Sequence, residues 1–288
     1  MKTIRAGSLL VAVLLTGCVA APERAQAPQP LPAAATAHDN LNATLWMQSS
    51  AEYAATALQT FRQACEALDA ALQDPSASAV AESERAAGFE SLPPAAIADI
   101  DETLLDNSAY QAWMIQTGTA FSRETWSVWV DERSARPIPG ALAFAECAQA
   151  KGVTLIYLSN RSVDGAEATI DNLRAVGFPL PPDAGAVVLL QGDTRAPERE
   201  KGTRRRWVGQ RYRVVALLGD NLGDFLDGVG GTVTERARLV APYAHWWGER
   251  WFMLPNPGYG SWEGAVLSGC AHADSDPATC KRQALQSR

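Results

Sequence analysis

Short apolar runs at 95–98, 153–158, 186–190 and 214–218 punctuate the chain. Each is almost uninterrupted and is bounded by polar or turn residues, as expected of strands buried on both faces of a parallel sheet. Helix-like stretches lie between them, at 140–150 and 165–176. Strand and helix in alternation predict an open α/β sheet flanked by helices. Upstream, Leu41, Leu45, Tyr53, Leu58, Phe61, Leu68 and Leu72 recur at helical spacing and predict one or two helices over 40–72. Pro93 and Pro94 then stop the helical pattern before the first strand.

The first residues follow a different pattern. Lys2 and Arg5 precede a short apolar run from Leu9 to Leu15, and Gly17 stands before Cys18. The run is too short for a permanent membrane span and reads as an export signal over 1–17. Leu15-Thr16-Gly17-Cys18 resembles a bacterial lipobox, which implies cleavage before Cys18 and lipid on that residue. Residues 18–38 are rich in Ala, Pro and Gln and read as a flexible tether, leaving 39–288 as the folded domain.

Composition adds limits. Of the 288 residues, 47% are hydrophobic, and the net charge of -7 argues against a general nucleic-acid binder. A small phosphate ester remains compatible, because one pocket can be positive on an acidic protein. Setting Cys18 aside leaves four cysteines in an exported chain. Cys270 and Cys280 close a short loop and are the favoured pair. Four cysteines allow three pairings; Cys65 and Cys147 sit in apolar helical patterns, and their simplest reading is as two buried free thiols.

The chemistry sits where strands end. The first run leads into Asp99-Ile100-Asp101-Glu102-Thr103, another into Ser159-Asn160-Arg161, and the last into Gly219-Asp220-Asn221-Leu222-Gly223-Asp224. Ligands of open α/β sheets bind at the carboxyl ends of strands, so these clusters should converge. Four carboxylates in one crevice, Asp99, Asp101, Asp220 and Asp224, would repel one another without a cation. A hard ion such as magnesium suits oxygen ligands. Carboxylate-held metal beside a free carboxylate is an arrangement for phosphoryl transfer: one carboxylate attacks phosphorus and another two residues on handles the proton. Ser159 and Asn160 can hold phosphoryl oxygens. Lys201, the single lysine between Ser159 and Asp220, can supply charge. Arg204, Arg205 and Arg206 read as a solvated basic face.

Asp99-x-Asp101-x-Thr103, Ser159, Lys201 and Asp220 with Asp224 resemble the four ordered motifs of the haloacid dehalogenase (HAD) superfamily. The finer resemblance, over about 40–267, is to bacterial class C acid phosphatases, including lipoprotein 5′-nucleotidases. It rests on the stretches from Ile97 to Tyr110, from Gly219 to Phe225, from Leu254 to Gly264 and from Leu45 to Tyr53. The resemblance implies a HAD-like Rossmannoid sheet with a small, mostly helical cap, about 107–139 plus part of the C-terminal region. It implies Asp99 as nucleophile and Asp101 as general acid/base. It implies magnesium held by Asp99, the Asp101 main-chain carbonyl and Asp220, with Asp224 orienting the metal shell or Lys201. Trp113 and Tyr259 fit the positions that sandwich a nucleobase or other aromatic group. The implied partners are small phosphomonoesters, with a homodimer allowed. A phosphotransferase with the same intermediate and a non-catalytic nucleotide-binding lipoprotein are the rival functions.

Val19 after the lipidated cysteine favours the outer membrane over inner-membrane retention, with the domain in the periplasm. The chain should partition with membranes, and Cys18→Ser should release it. Fractionation that finds the native chain wholly soluble, with Cys18 unmodified, refutes the anchor.

Overall fold

The computed structural model describes residues 39–270 and 276–286. The signal over 1–17, Cys18 and the tether over 18–38 lie outside the described residues. Two helices open the fold, α1 (Leu41–Ser49) and α2 (Ala51–Gln73). Ser50 separates them: its backbone is extended, and its hydroxyl accepts the Tyr53 N–H at 3.0 Å. That is an N-cap serving one of the helix's orphan donors.

The buried stripe of α2 is Tyr53, Ala57, Phe61, Ala64, Leu68 and Ala71. Leu41, Leu45 and Leu58, expected on the inner face, are exposed instead. Alanine explains the difference. The small side chains of Ala57, Ala64 and Ala71 let α2 lie close to its neighbours, while hydrophobic periodicity gives more weight to leucine.

The chain then enters β1 (Pro94–Ala98) and a small cap: β2 (Leu105–Asp106), α3 (Ser108–Thr117), α4 (Arg123–Asp131) and β3 (Arg136–Pro137). The two short strands pair antiparallel and close the cap at its base. Next come α5 (Ala141–Ala150), β4 (Thr154–Ser162), α6 (Ala166–Ala175), β5 (Val188–Gln191), α7 (Gly202–Gly209) and β6 (Arg213–Gly219). The C-terminal part holds α8 (Val233–Val240), β7 (Trp251–Met253), α9 (Ser261–Ser268) and α10 (Pro277–Ala284).

The main sheet has five strands in the order β5-β4-β1-β6-β7, and every pairing is parallel. β1 is central. The chain builds outward from it first through β4 and β5, then restarts on its other side with β6 and β7. The carboxyl ends of β4, β1 and β6 therefore flank a topological switch point, where such sheets bind ligands. The expected α/β parallel sheet is present, but β7 is an element that apolar periodicity missed. Trp251 on β7 is fully buried, and its indole N–H donates to Ala79 O at 2.7 Å. Phe225, Tyr243, Trp246 and Trp247 pack around it with ring centroids 4.9–5.4 Å away. Phe225 and Trp251 are core, and Tyr243, Trp246 and Trp247 are partly buried against it.

The simplest reading of Cys65 and Cys147, as free thiols, is corrected: of the pairings left open, they form a disulfide joining α2 to α5, with Cα atoms 6.1 Å apart. The two helices pack side by side. Gly140, at φ +94°, permits this, since a Cβ there would lie 3.2 Å from the Phe61 ring. Cys270 and Cys280 form the second disulfide. The first bridges a sequence separation of 82 residues. Closing so long a loop should stabilise the fold by roughly 2–4 kcal/mol. Urea unfolding of the Cys65→Ser/Cys147→Ser double variant should show that loss, and an unchanged midpoint would mean the bridge constrains nothing.

Candidate active site

The turn after β1 builds the centre of the site. Asp99 extends the strand, its N–H bonded to Leu218 O at 3.0 Å. Glu102 then takes a left-handed backbone, φ 55°, which bends the chain back so that its N–H reaches Leu105 O at 2.8 Å. Such a conformation is unfavourable for a residue with a Cβ and persists where surrounding contacts hold it.

Lys201 caps the start of α7 and reaches into the crevice. Its ammonium donates to Asp99 Oδ1 and Asp224 Oδ1, both at 2.6 Å, with all three side chains buried. Carboxylate oxygens of Asp99, Asp220 and Asp224 lie within 4.8 Å of one another. The Asp224 carboxylate also accepts the Asn221 N–H at 2.9 Å. Gly219 makes room for it, because a Cβ there would sit 2.2 Å from Asp224 Oδ2. Asp220 accepts from Thr103 Oγ1 at 3.3 Å and Asn256 Nδ2 at 2.8 Å.

The charge balance is uneven. Burial raises the Asp99 carboxyl well above its ordinary value despite the opposing pull of Lys201, and Asp224, Asp220 and Asp101 add to the rise. Burial, then the Asp224 and Glu102 charges, push Asp220 up to about 8. Burial alone would lower the Lys201 ammonium, but Asp224 and Asp99 outweigh it and hold it above its ordinary value. With all three ionised, the carboxylates would outnumber the one ammonium by two charges, and the raised Asp99 and Asp220 values express that excess. An oxygen-lined cluster with that excess suits a hard divalent cation.

Asp101 is placed differently. Its carboxylate is outside the three-aspartate cluster and is gripped by Arg161, with Nη2 and Nε at 2.8 and 2.9 Å from Oδ1. Ser159 Oγ donates to Oδ2 at 3.1 Å, and Asn107 Nδ2 to Oδ1 at 2.9 Å. The structure thus brings Asp99, Asp101, Ser159, Lys201, Asp220 and Asp224 together.

Asn160 is exposed, and its side-chain oxygen accepts from Arg204 at 2.6 Å. Tyr259 donates its hydroxyl to the buried Glu102 carboxylate. Burial, followed by the Glu102 charge, raises the Tyr259 pKa. Trp113 is 40% exposed on α3 and stacks on Tyr110 at 5.8 Å.

The solvated-face reading of the arginines is corrected for two of the three: only Arg206 is exposed, while Arg204 and Arg205 are fully buried. Arg204 donates to Ser159 O at 2.5 Å. Arg205 pairs with Glu84 at 2.8 Å and donates to Gly223 O at 3.0 Å. From one helix they tie down the loops of β4 and β6. Glu84 lies 121 residues from Arg205, a partnership no local pattern shows.

Sequence reasoning also missed Arg161, Asn107, Glu102 and Asn256 as parts of the site. Glu102 and Asn107 lie near Asp101 in sequence and Arg161 follows Ser159-Asn160, so proximity to named residues was the available signal for these three, whereas Asn256 lies 36 residues from its partner Asp220 and had no local signal.

The family model for HAD superfamily, subfamily IIIB (Acid phosphatase), matches residues 19–262. The chain belongs to this family. Among solved structures it is similar to the class C acid phosphatase from Bacillus anthracis, at 32% identity and TM-score 0.72, covering 86% of this chain and 97% of that one. A structure of the Bacillus anthracis enzyme with tungstate bound gives 33% identity and TM-score 0.74 over the same shares. Curated relatives include a stem 28 kDa glycoprotein of Glycine max and acid phosphatase 1 of Solanum lycopersicum, each 26% identical. The alignments cover 56% and 57% of this chain, and it spans 57% of the length of each relative.

The buried acids of this HAD-family site make a stability prediction. Burial and the Asp101 charge push Glu102 up to about 8, against the Tyr259 and Asn107 hydrogen bonds, and Asp220 also stands at about 8. The unfolded chain releases these protons near pH ~4. Between the two pH values the metal-free folded state binds more protons than the unfolded state, so its stability falls as pH rises from about 4 to about 8. Thermal unfolding in chelator should show that decline, and excess magnesium should flatten it. A metal-free Tm that rises across the window would contradict these shifts.

Proposed function

We propose that the chain is a magnesium-dependent phosphomonoesterase that turns over through an aspartyl-phosphate on Asp99. The observation that carries this reading is the shared grip of Lys201 on Asp99 and Asp224, with Asp101 braced separately two residues away. It sets an attacking carboxylate beside a cation in the acidic cluster and keeps a second carboxylate apart for proton work.

In the first step an Asp99 oxygen forms a bond to phosphorus and the ester P–O bond breaks. The departing oxygen takes its proton from Asp101. In the second step Asp101 accepts a proton from water, the water oxygen bonds to phosphorus, and the P–O bond to Asp99 breaks to free inorganic phosphate. Lys201 and Ser159 hold phosphoryl oxygens. Magnesium on Asp99, the Asp101 carbonyl, Asp220 and the Asp224 side of the cluster would supply positive charge against the phosphoryl group.

The proposed substrates are nucleoside monophosphates and aromatic phosphates. Tyr259, its hydroxyl anchored on Glu102, offers a fixed ring beside the phosphoryl site, and Trp113 offers a half-open face on the cap. Stacking on such a ring is worth roughly 1–3 kcal/mol per base. The proposed setting is the periplasmic face of the outer membrane, reached through lipid on Cys18.

Phosphate release from p-nitrophenyl phosphate and a nucleoside 5′-monophosphate tests the reading. Chelator should abolish turnover and magnesium restore it. Asp99→Asn should lower kcat on the order of 10⁴-fold or more while the fold persists. Wild-type-like turnover by that variant would exclude the aspartyl-phosphate route.

A further inference from the structure

Trp129 belongs to the cap helix α4, yet its indole N–H ends in the active site, on Asn107 Oδ1 at 2.8 Å. Asn107 is fully buried and stands at the N-terminus of α3. An indole N–H can only donate, so it fixes the carboxamide with oxygen toward the cap. The amide nitrogen must then face the other way. There it donates to Asp101 Oδ1 at 2.9 Å and lies 3.4 Å from Glu102 Oε2. The flipped amide would set its oxygen against two carboxylates and leave the indole N–H without an acceptor. Burial makes both faults costly.

The consequence falls on Asp101. Its Oδ1 receives Arg161 Nη2, Arg161 Nε and Asn107 Nδ2 at 2.8, 2.9 and 2.9 Å. Its Oδ2 receives Ser159 Oγ at 3.1 Å and a longer contact from Arg161 Nε at 3.2 Å. The two oxygens are therefore unequal: Oδ1 is saturated by donors and Oδ2 is the freer one. We propose that Trp129 is a cap-borne positioning residue for Asp101, acting through Asn107 to fix which carboxylate oxygen is turned toward the leaving group. This rests on the reading of Asp101 as the general acid.

A residue that places the acid should matter most where the leaving oxygen needs a proton. p-Nitrophenolate departs without one and an alkoxide does not. The test is kcat/KM across phosphate monoesters graded from p-nitrophenyl to alkyl, in the magnesium-loaded protein. Trp129→Phe keeps the aromatic body and removes the N–H. It should lose about 10-fold or more on the alkyl ester and less than about 3-fold on p-nitrophenyl phosphate, a fraction of what general acids contribute. Phe121→Leu, in the same cap with ring contacts only, should leave the dependence on leaving group unchanged. Asn107→Ser retains a residue type favoured at helix N-termini and should reproduce the steepening. It decides the matter if Trp129→Phe does not fold.

Asp101→Asn on the same series separates two failures. If it steepens the dependence while Trp129→Phe and Asn107→Ser do not, the positioning role is overturned and the acid stands. If Asp101→Asn itself loses equally on every ester, the acid reading falls and this inference with it. An equal loss across the series in Trp129→Phe or, should it not fold, Asn107→Ser would likewise overturn the inference.

Discussion

One ammonium shared by two buried carboxylates sets the terms for the rest of this site. Lys201 bridges Asp99 and Asp224 at 2.6 Å each, and Asp220 adds a third acid to the same oxygen cluster. Such crowding is tolerable only because each group has a fixed partner and because the excess negative charge matches a divalent ion. Strands, loops and cap serve to hold these acids at close range without letting them collapse or separate.

The scaffold does this by fastening loops from behind. Lys201 stands at the N-terminus of α7, and the next turn supplies Arg204 and Arg205. Arg204 holds the carbonyl of Ser159, while Arg205 holds the Gly223 carbonyl and pairs with Glu84. One short helix thus indexes the loop after β4, the acidic loop after β6 and its own lysine to one another. A buried guanidinium without such partners would cost several kcal/mol. Here Arg205 spreads its donors over the Glu84 and Asp227 carboxylates and the Gly223 carbonyl, and Arg204 places its two Nη atoms on the Ser159 carbonyl and Asn160 Oδ1.

Behind the sheet, α2 and α5 are drawn together by the alanine face of α2, by Gly140 and by the Cys65–Cys147 bridge. At the far edge, β7 is held by aromatic rings closing around Trp251. Both layers leave the carboxyl edge of the sheet free for chemistry, and the cap closes over that edge. Its aromatics mostly pack on one another, and Trp129 alone of these tryptophans sends a hydrogen bond to Asn107.

The sequence by itself determined the strand–helix alternation, the parallel sheet and the acids at the strand ends. These are local properties: a buried strand must be apolar along its length, and the residues that follow it must be polar to line a crevice. Ordered motifs with a single candidate lysine then named Asp99, Asp101, Ser159, Lys201, Asp220 and Asp224. Only the tertiary structure decided that the Asp101 carboxylate is held by Arg161 outside the acidic cluster, that Arg204 and Arg205 are buried ties, that Cys65 meets Cys147, and that β7 completes the sheet. Each depends on which groups meet across long stretches of chain, 60 residues for Arg161 and Asp101 and 121 for Arg205 and Glu84. Arginine has the same local pattern on a wet face and in a buried ion pair, and the partner that distinguishes them is supplied by the fold.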